Sequence, residues 1–440
     1  MLFFYSLIYT LGFLLMLPVF IFNRSKYLAG FNERLGKYPQ FIHDGRKVIW
    51  LHCVSVGEAN AARPLVDEIK RSFPGYGLIV STTTKTGQEL AKNIFAGKAD
   101  AVFYFPFDWK STVRRALDNF KPSAVLLMET EIWPRFIHEA SRTGAKVAIV
   151  NGRLSERSFN RYSNFAALMK KVLANISLAL MQGEADAKRI TSLGMDAGRT
   201  NVTGNIKFDL ELNESDAAVT SELDERFGFS DGKPLIIAAS THEPEERWVL
   251  DAFCSVLAGD ARNRSRLLIA PRHPERFDAV AKLIRDFRND PACEWTRYSF
   301  ARRSAEPSPE DSDADIILLD SIGELRGAYP LAQVVFVGGS LIPHGGQSVL
   351  EPAAAGKAIA TGPYTHNFTD VVKTFLEKKA LIQFEKIPET AIPDDLFLAF
   401  SDLLEDNEER EELARNAANV MAENRGATRK TVELLRMVLS

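Results

Sequence analysis

Cysteine is scarce in this chain. Three occur among 440 residues, Cys53, Cys254 and Cys293, too few and too scattered for a disulfide framework. An odd, low count of this kind suits a reducing compartment. Neither sign of charge is in excess: 54 Lys and Arg stand against 57 Asp and Glu, and the net charge of −3 argues against a nucleic-acid partner. The seven histidines show no H-E-x-x-H or Cys/His spacing, which argues against a zinc site. A G-x-S-x-G elbow, a Walker A loop and a nucleophilic cysteine in a known setting are missing, as is any repeat of solenoid period.

Residues 1–22 lack charge altogether. As a helix rising 1.5 Å per residue they would reach roughly 33 Å, about one bilayer core. The stretch has neither the basic start nor the small-residue cleavage site of a secretory signal. Arg24, Lys26, Arg34 and Lys37 all follow it, so the positive-inside rule puts the rest of the chain in the cytoplasm. The expectation is a membrane anchor, either crossing the bilayer or lying in its interface. The alternative is an apolar helix packed on the body of the protein.

What is present is the composition of a globular protein, 46% apolar and 25% charged, with length for two domains. Short apolar runs alternate with amphipathic segments. The runs are 48–54, 77–83, 101–105, 124–128, 146–150 and 178–182 in the first half, then 235–240, 266–271, 316–320, 334–340 and 357–362. Continuous apolar runs between helix-length pieces predict parallel sheets covered on both faces. The fold class is α/β: two Rossmann-like domains in tandem, with ligands at the carboxyl ends of the strands. The expected boundaries are an anchor at 1–22, a first domain at 23–208, a polar connection at 209–234 and a second domain with closing helices at 235–440.

Polar residues gather at the predicted strand ends. "VVFVGGSLIPHGGQSVLEPAAAGKAIATGP" (334–363) holds Gly338-Gly339-Ser340 and then Gly345-Gly346 before a helix. Glycines permit close backbone approach to an anion, and a helix start favours phosphate. Ser348 and Glu351 have S-x-x-E spacing, so Glu351 either completes a capping box or takes ribose hydroxyls beside a phosphate cradle. Arg272 and His273 follow one run, Gly323 and Glu324 another, and Ser240, Thr241, His242 and Glu243 a third. Together these predict a nucleotide-sized polar site. The first half offers Ser55, Gly57-Glu58, Glu129, Glu131 and Lys207, each usually solvated when taken alone. Arg153, Arg157 and Arg161 form either an exposed face or a site for an anionic acceptor. Asp311-Ser312-Asp313 resembles a metal-binding D-x-D but reads better as a solvated turn.

The ordered pieces "NERLG", "LHCVSVGE", "METEIWP", "NGRLSERS", "TGNIKFD", "ASTHEPEE", "APRHPERF", "GEL" and "HGGQSVLEPAAAGKAI", with the apolar start, resemble the bacterial 3-deoxy-D-manno-octulosonic acid (Kdo) transferases. The likeness runs from about residue 1 to 370. It implies a GT-B architecture, two Rossmann-like domains facing a cleft. It implies inverting transfer of Kdo from CMP-Kdo to the lipid A precursor (lipid IVA) at the cytoplasmic face of the inner membrane, with no cofactor and no metal. It further implies that Glu33 is the general base and that Glu129 and Lys207 support the transition state. The CMP-Kdo site then falls on Pro271, Arg272, Ile322, Gly323, Glu324, Gly345, Gly346, Ser348, Val349, Leu350 and Glu351. One departure is visible: the family usually reads GG-x-N-P-L-E, where this chain has Gln347, Ser348 and Val349. CMP is already a good leaving group, so cations and N–H dipoles on its phosphate matter more than an acid. Arg272, Lys207 and the helix after Gly346 are expected to supply them.

Overall fold

The computed structural model describes residues 2–22, 29–210, 212–259, 265–288 and 298–439. Arg24, Lys26 and Cys293 lie outside the described residues. Contacts divide the chain into two units, residues 1–209 with 424–440, and residues 210–423.

The first unit is built on a parallel sheet of seven strands: β1 (Lys47–His52), β2 (Tyr76–Thr82), β3 (Ala101–Tyr104), β4 (Ala124–Met128), β5 (Lys146–Gly152), β6 (Leu178–Met181) and β7 (Thr200–Val202). Their order is β3-β2-β1-β4-β5-β6-β7, so the order reverses between β1 and β4. β4 is buried at every position, as expected of a strand covered on both faces. One face carries Trp50, Phe103, Phe120 and Phe136, and the other Leu51, Val80, Leu126 and Val150.

The second unit repeats the plan with β8 (Leu235–Thr241), β9 (Arg266–Pro271), β10 (Phe300–Arg302), β11 (Ile316–Leu318), β12 (Val334–Val337), β13 (Ala358–Thr361) and β14 (Ile382–Gln383). The order is β10-β11-β9-β8-β12-β13-β14, reversing between β8 and β12. All eleven apolar runs are strands. The three unforeseen strands, β7, β10 and β14, have three residues or fewer, and each sits at a sheet edge. Strands this short make no long apolar run, whereas β3, also at an edge but four residues long, does.

The boundaries differ from the expected ones in two places. The segment 209–234 is not a bare connection, because Glu214–Phe227 is a helix with an Asn213/Asp216 capping box and Gly228 at its end. Its Leu223 and Phe227 are fully buried, while Arg226 donates to Asp311 at 2.7 Å. That pairing makes Asp311 structural. The closing helix Ala427–Leu439 belongs to the first unit, not the second. Val432, Leu435 and Leu439 join the core around Leu51 and Leu126. The Asp209 carboxylate accepts from the N–H groups of Gly426 (2.6 Å) and Thr428 (2.5 Å), which caps the start of that helix.

Helix Leu2–Phe22 is long and apolar enough to cross a membrane. One stripe of it is nevertheless hydrogen-bonded to the first unit. Tyr5 Oη donates to Asp108 (2.8 Å), Arg135 donates to Ser6 Oγ (2.9 Å), and Trp109 Nε1 donates to Thr10 Oγ1 (2.9 Å). Phe13 packs on Phe107 and Trp109. Positions 5, 6, 9, 10 and 13 share one helical face. Phe3, Phe4, Leu7, Ile8, Leu11, Leu14 and Leu15 remain exposed around it.

Candidate active site

In the first unit, the ends of β1 and β4 flank the point where strand order reverses, and acidic groups collect there. Glu129 directly follows β4 with φ +53°, a left-handed conformation that is uncommon for a residue with a side chain. Its N–H is held by Val150 O at 2.9 Å. This bend turns the carboxylate to Lys207, whose Nζ lies 2.9 Å from Glu129 Oε1. Both side chains keep about a quarter of their surface accessible, 25% and 26%. Lys207 arrives from the short turn Ile206–Phe208, which Asn151 fixes by accepting from Ile206 N (3.0 Å).

Glu58 and Glu131 complete the group. Glu58 lies in the helix Val56–Ala61, where its Oε2 accepts from Val54 N (2.8 Å). Burial pushes its pKa up to about 8, and the charges of Glu129 and Glu131 add to the rise. Burial, then Glu129, also raises Glu131. At neutral pH one carboxyl of this group thus holds a proton while Lys207 pairs with Glu129. The Cys53 thiol is buried and raised well above its ordinary range, which removes it as a nucleophile.

Glu33 stands elsewhere on the same unit, in the turn Phe31–Arg34. Its Oε2 accepts from Tyr104 N (2.7 Å) at the end of β3. Oε1 has no hydrogen bond among the described residues. Gly30, at φ +67°, makes this docking possible, since a Cβ there would lie 1.8 Å from the Tyr104 ring. β3 is three strand spacings from β4, about 14 Å, so Glu33 and the Glu129–Lys207 pair occupy separate stations along one edge. Arg34, one of the basic residues that follow the apolar stretch, is not at the surface. It is buried, donates to Ala29 O (3.0 Å) and Thr83 O, and lies 4.7 Å from the Tyr104 ring. Lys37 is exposed. Arg157 and Arg161 are exposed on the helix Glu156–Ser163, which buries none of its residues.

In the second unit, β11, β9, β8 and β12 are neighbours, and their following loops carry most of the expected nucleotide ligands. Pro271 closes β9 and is buried. Arg272 is exposed, its backbone N–H anchored on Thr241 O at 3.0 Å. After β11, Ile322 is 80% exposed, and Gly323 has φ +91°. Glu324 is already engaged: both its oxygens accept from Arg303, at 2.8 and 3.0 Å, and Ser321 donates to it as well. Burial would raise Glu324, but these donors outweigh it and hold the carboxyl below the usual range. Its side chain therefore braces the loop, which leaves the exposed Ile322–Gly323 backbone for a ligand.

After β12 the structure corrects the expectation of free N–H groups. The anion that the Gly338-Gly339-Ser340 backbone approaches is the protein's own Glu245. This carboxylate, 0% exposed, accepts from Gly339 N (2.6 Å), His242 N (3.0 Å), Ser340 N (3.0 Å) and Leu341 N (2.9 Å). A Cβ on Gly338 would stand 2.9 Å from Glu245 Oε2. Gly345 (φ +105°) and Gly346 (φ +75°) form the next turn, with Gly346 N bonded to Gly339 O at 2.7 Å. Ser348 and Glu351 make no capping box; Ser348 Oγ instead accepts from Leu350 N at 3.3 Å. The helix that follows, Leu350–Ala354, has only five residues, so its dipole contributes little. Val349 and Leu350 are buried and anchor it, and Glu351 is half-buried in its first turn.

Reading along the chain missed Glu245, Arg303 and one cluster. His242, His273 and His344 come from three different loops, yet one nitrogen of each lies within 4.8 Å of the others. Burial, then the two neighbouring histidines, lowers the pKa of His242 to about 4. No local spacing could reveal this group, because the fold alone assembles it.

Comparison with known proteins finds relatives of the chain. Residues 29–210 match the family model described as 3-Deoxy-D-manno-octulosonic-acid transferase (kdotransferase). The chain is 35% identical over 416 residues to the 3-deoxy-D-manno-octulosonic acid transferase of Haemophilus influenzae, covering 94% of this chain and 92% of that one. It is 31% identical over 394 residues to the corresponding enzyme of Bordetella pertussis, covering 88% and 86%. Among solved structures, the UDP-GlcNAc 2-epimerase of Neisseria meningitidis shares the fold, with a TM-score of 0.57 at 15% identity over 89% of this chain and 100% of that one.

Proposed function

The chain belongs to the Kdo transferase family of glycosyltransferases, and from that premise we propose that it transfers Kdo from CMP-Kdo to the lipid A precursor, lipid IVA, with inversion at the anomeric centre. The observation that carries this reading is the Glu129–Lys207 pair, 2.9 Å apart at the strand-order reversal. These are two residues for which the family motifs imply a transition-state role.

In this reading the first unit takes the acceptor and the second takes the donor. Arg272 and the exposed turn at Ile322–Gly323 meet the CMP group, Glu351 takes ribose hydroxyls, and the Gly345–Gly346 turn allows close approach. Glu324 and Glu245 hold these loops in place. As the bond to CMP breaks, the sugar gains oxocarbenium character, as in other glycosyl transfers. The Lys207 ammonium, 2.9 Å from Glu129, supports the charge that develops in the transition state. Glu33 takes the proton of the acceptor hydroxyl on Oε1, while the Tyr104 N–H keeps Oε2 in place.

The helix Leu2–Phe22 supports attachment to a lipid surface at the cytoplasmic face of the inner membrane. Its hydrogen-bonded stripe favours a helix lying along the surface, with Phe3, Leu7, Leu11 and Leu15 in the lipid. Vesicle co-sedimentation that survived charged residues at those four positions would remove this part of the proposal. The transfer itself is tested by mass analysis of the product formed from CMP-Kdo and a tetra-acylated lipid A precursor. A mass increase of Kdo units is expected; an unchanged acceptor under saturating donor contradicts the reading.

A further inference from the structure

We propose that His242, His273 and His344 form a binding site for a divalent transition-metal ion, with Zn²⁺ as the best chemical match. The three rings come from the loops after β8, β9 and β12, on either side of the strand-order reversal in the second unit. The His242 ring centroid lies 4.1 Å from that of His344 and 5.2 Å from that of His273.

His242 is the fixed member. It is 6% exposed, and its backbone N–H is held by Glu245. Its Nδ1 lies 3.2 Å from Ser240 O. A carbonyl oxygen only accepts, so Nδ1 carries the proton and Nε2 keeps its lone pair. That Nε2 is buried and has no hydrogen-bond partner. An imidazole whose far nitrogen is tied to a backbone carbonyl, with the near nitrogen left open, is the arrangement that orients a metal-binding histidine. Packing reinforces it, because a Cβ on Gly339 would stand 3.2 Å from Nδ1. His273 Nδ1 has the exposed Glu275 carboxylate 3.8 Å away, too far for a hydrogen bond, so its ring is free to reorient.

Zn–N bonds of about 2.0–2.1 Å in a tetrahedral site set the nitrogens about 3.3 Å apart. The present separations of up to 4.8 Å close to that value by small rotations of His273 and His344. Both have room to turn, since His344 is exposed and the His273 side chain is 45% accessible. Three neutral nitrogen donors without a carboxylate favour Zn²⁺, Ni²⁺ or Cu²⁺ over Mg²⁺ and Ca²⁺. Arg276 is a nearby cation that opposes an ion here. Its charge is already answered by Glu246 (2.5 Å) and Glu243 (3.8 Å).

The test uses the full chain, purified without a polyhistidine tag and stripped by a chelator. Titration calorimetry with Zn²⁺ alone is expected to show one ion per chain that excess Mg²⁺ does not displace. Co²⁺ in its place is expected to give the visible absorption of a tetrahedral site. The double variant His273→Ala/His344→Ala, both positions accessible, is expected to lose about 100-fold or more in Zn²⁺ affinity. Should that variant lose its circular dichroism signature, His344→Ala alone serves. Absence of Zn²⁺ uptake by the unaltered chain overturns the proposal. So does uptake that survives in the folded variants, which would assign the ion to other donors such as Cys53 or Cys254. None of these measurements involves CMP-Kdo, so they stand apart from the donor-site reading.

Discussion

Replacing Glu245 by Ala removes the shared acceptor of four backbone N–H groups, those of His242, Gly339, Ser340 and Leu341. All four bonds are buried, so water cannot take over without the loop opening. A buried donor left unsatisfied costs roughly 1–3 kcal/mol, and four at the low end give about 4 kcal/mol. That is a large part of the roughly 5–15 kcal/mol that holds an ordinary domain together. Glu245→Gln keeps the volume, but its single carbonyl oxygen serves two donors while its NH₂ faces the other two. About 2 kcal/mol is expected for it. Hydrogen exchange read by mass spectrometry on the peptide around Gly339 and Leu341 measures this locally. Protection there should fall about 10³-fold in the Ala variant and about 30-fold in the Gln variant. A fall of less than about tenfold in Glu245→Ala would refute the claim that this carboxylate holds the glycine loop.

Other consequences follow from the same geometry. Glu58 is held near 8 in the fold against about 4.5 when unfolded. Between those values the folded chain keeps a proton that the unfolded chain has released. This contribution to stability is full below about pH 4.5 and is lost as pH rises through 8. Urea unfolding of Glu58→Gln should therefore lose less stability than the unaltered chain across that window; parallel pH profiles would contradict it. Lys207→Met should lower kcat by about 10²–10³ with little change in donor KM, the usual cost of one transition-state donor. Equal losses in kcat and donor affinity would make Lys207 a binding residue instead. Arg272→Ala should weaken CMP about 10- to 100-fold in titration calorimetry, as expected for a charge-assisted bond to phosphate, and an unchanged Kd would take Arg272 out of the site.

Much of the architecture can be read along the chain, for a physical reason. Strands buried on both faces are mainly apolar, so β4, and β9 after its buried Arg266, stand out as apolar runs. Ligand groups in such sheets gather after the strands, which makes Glu129 and Arg272 visible as polar residues behind apolar ones. The two- and three-residue edge strands β7, β10 and β14 are too short to leave such a trace, whereas the four-residue edge strand β3 does leave one. The closing helix offers no local sign of its destination, since its apolar face would fit either unit. The Gly338–Ser340 loop was legible as a seat for an anion, but not that Glu245, over ninety positions earlier, occupies it. Glu324 was legible as a polar residue at a strand end, yet only the fold reveals Arg303 across from it. The histidine cluster is the extreme case, with members separated along the chain and joined only by sheet order.

In the proposed reaction Glu33 deprotonates the acceptor hydroxyl, and its removal should show in the rate of transfer. Transfer from CMP-Kdo to a tetra-acylated lipid A precursor is followed by mass analysis for Glu33→Gln, with CMP affinity measured alongside. A rate lower by about 10²–10⁴ is expected, the usual contribution of a positioned base, with CMP affinity unchanged. A variant that still transferred Kdo at nearly the original rate would contradict it.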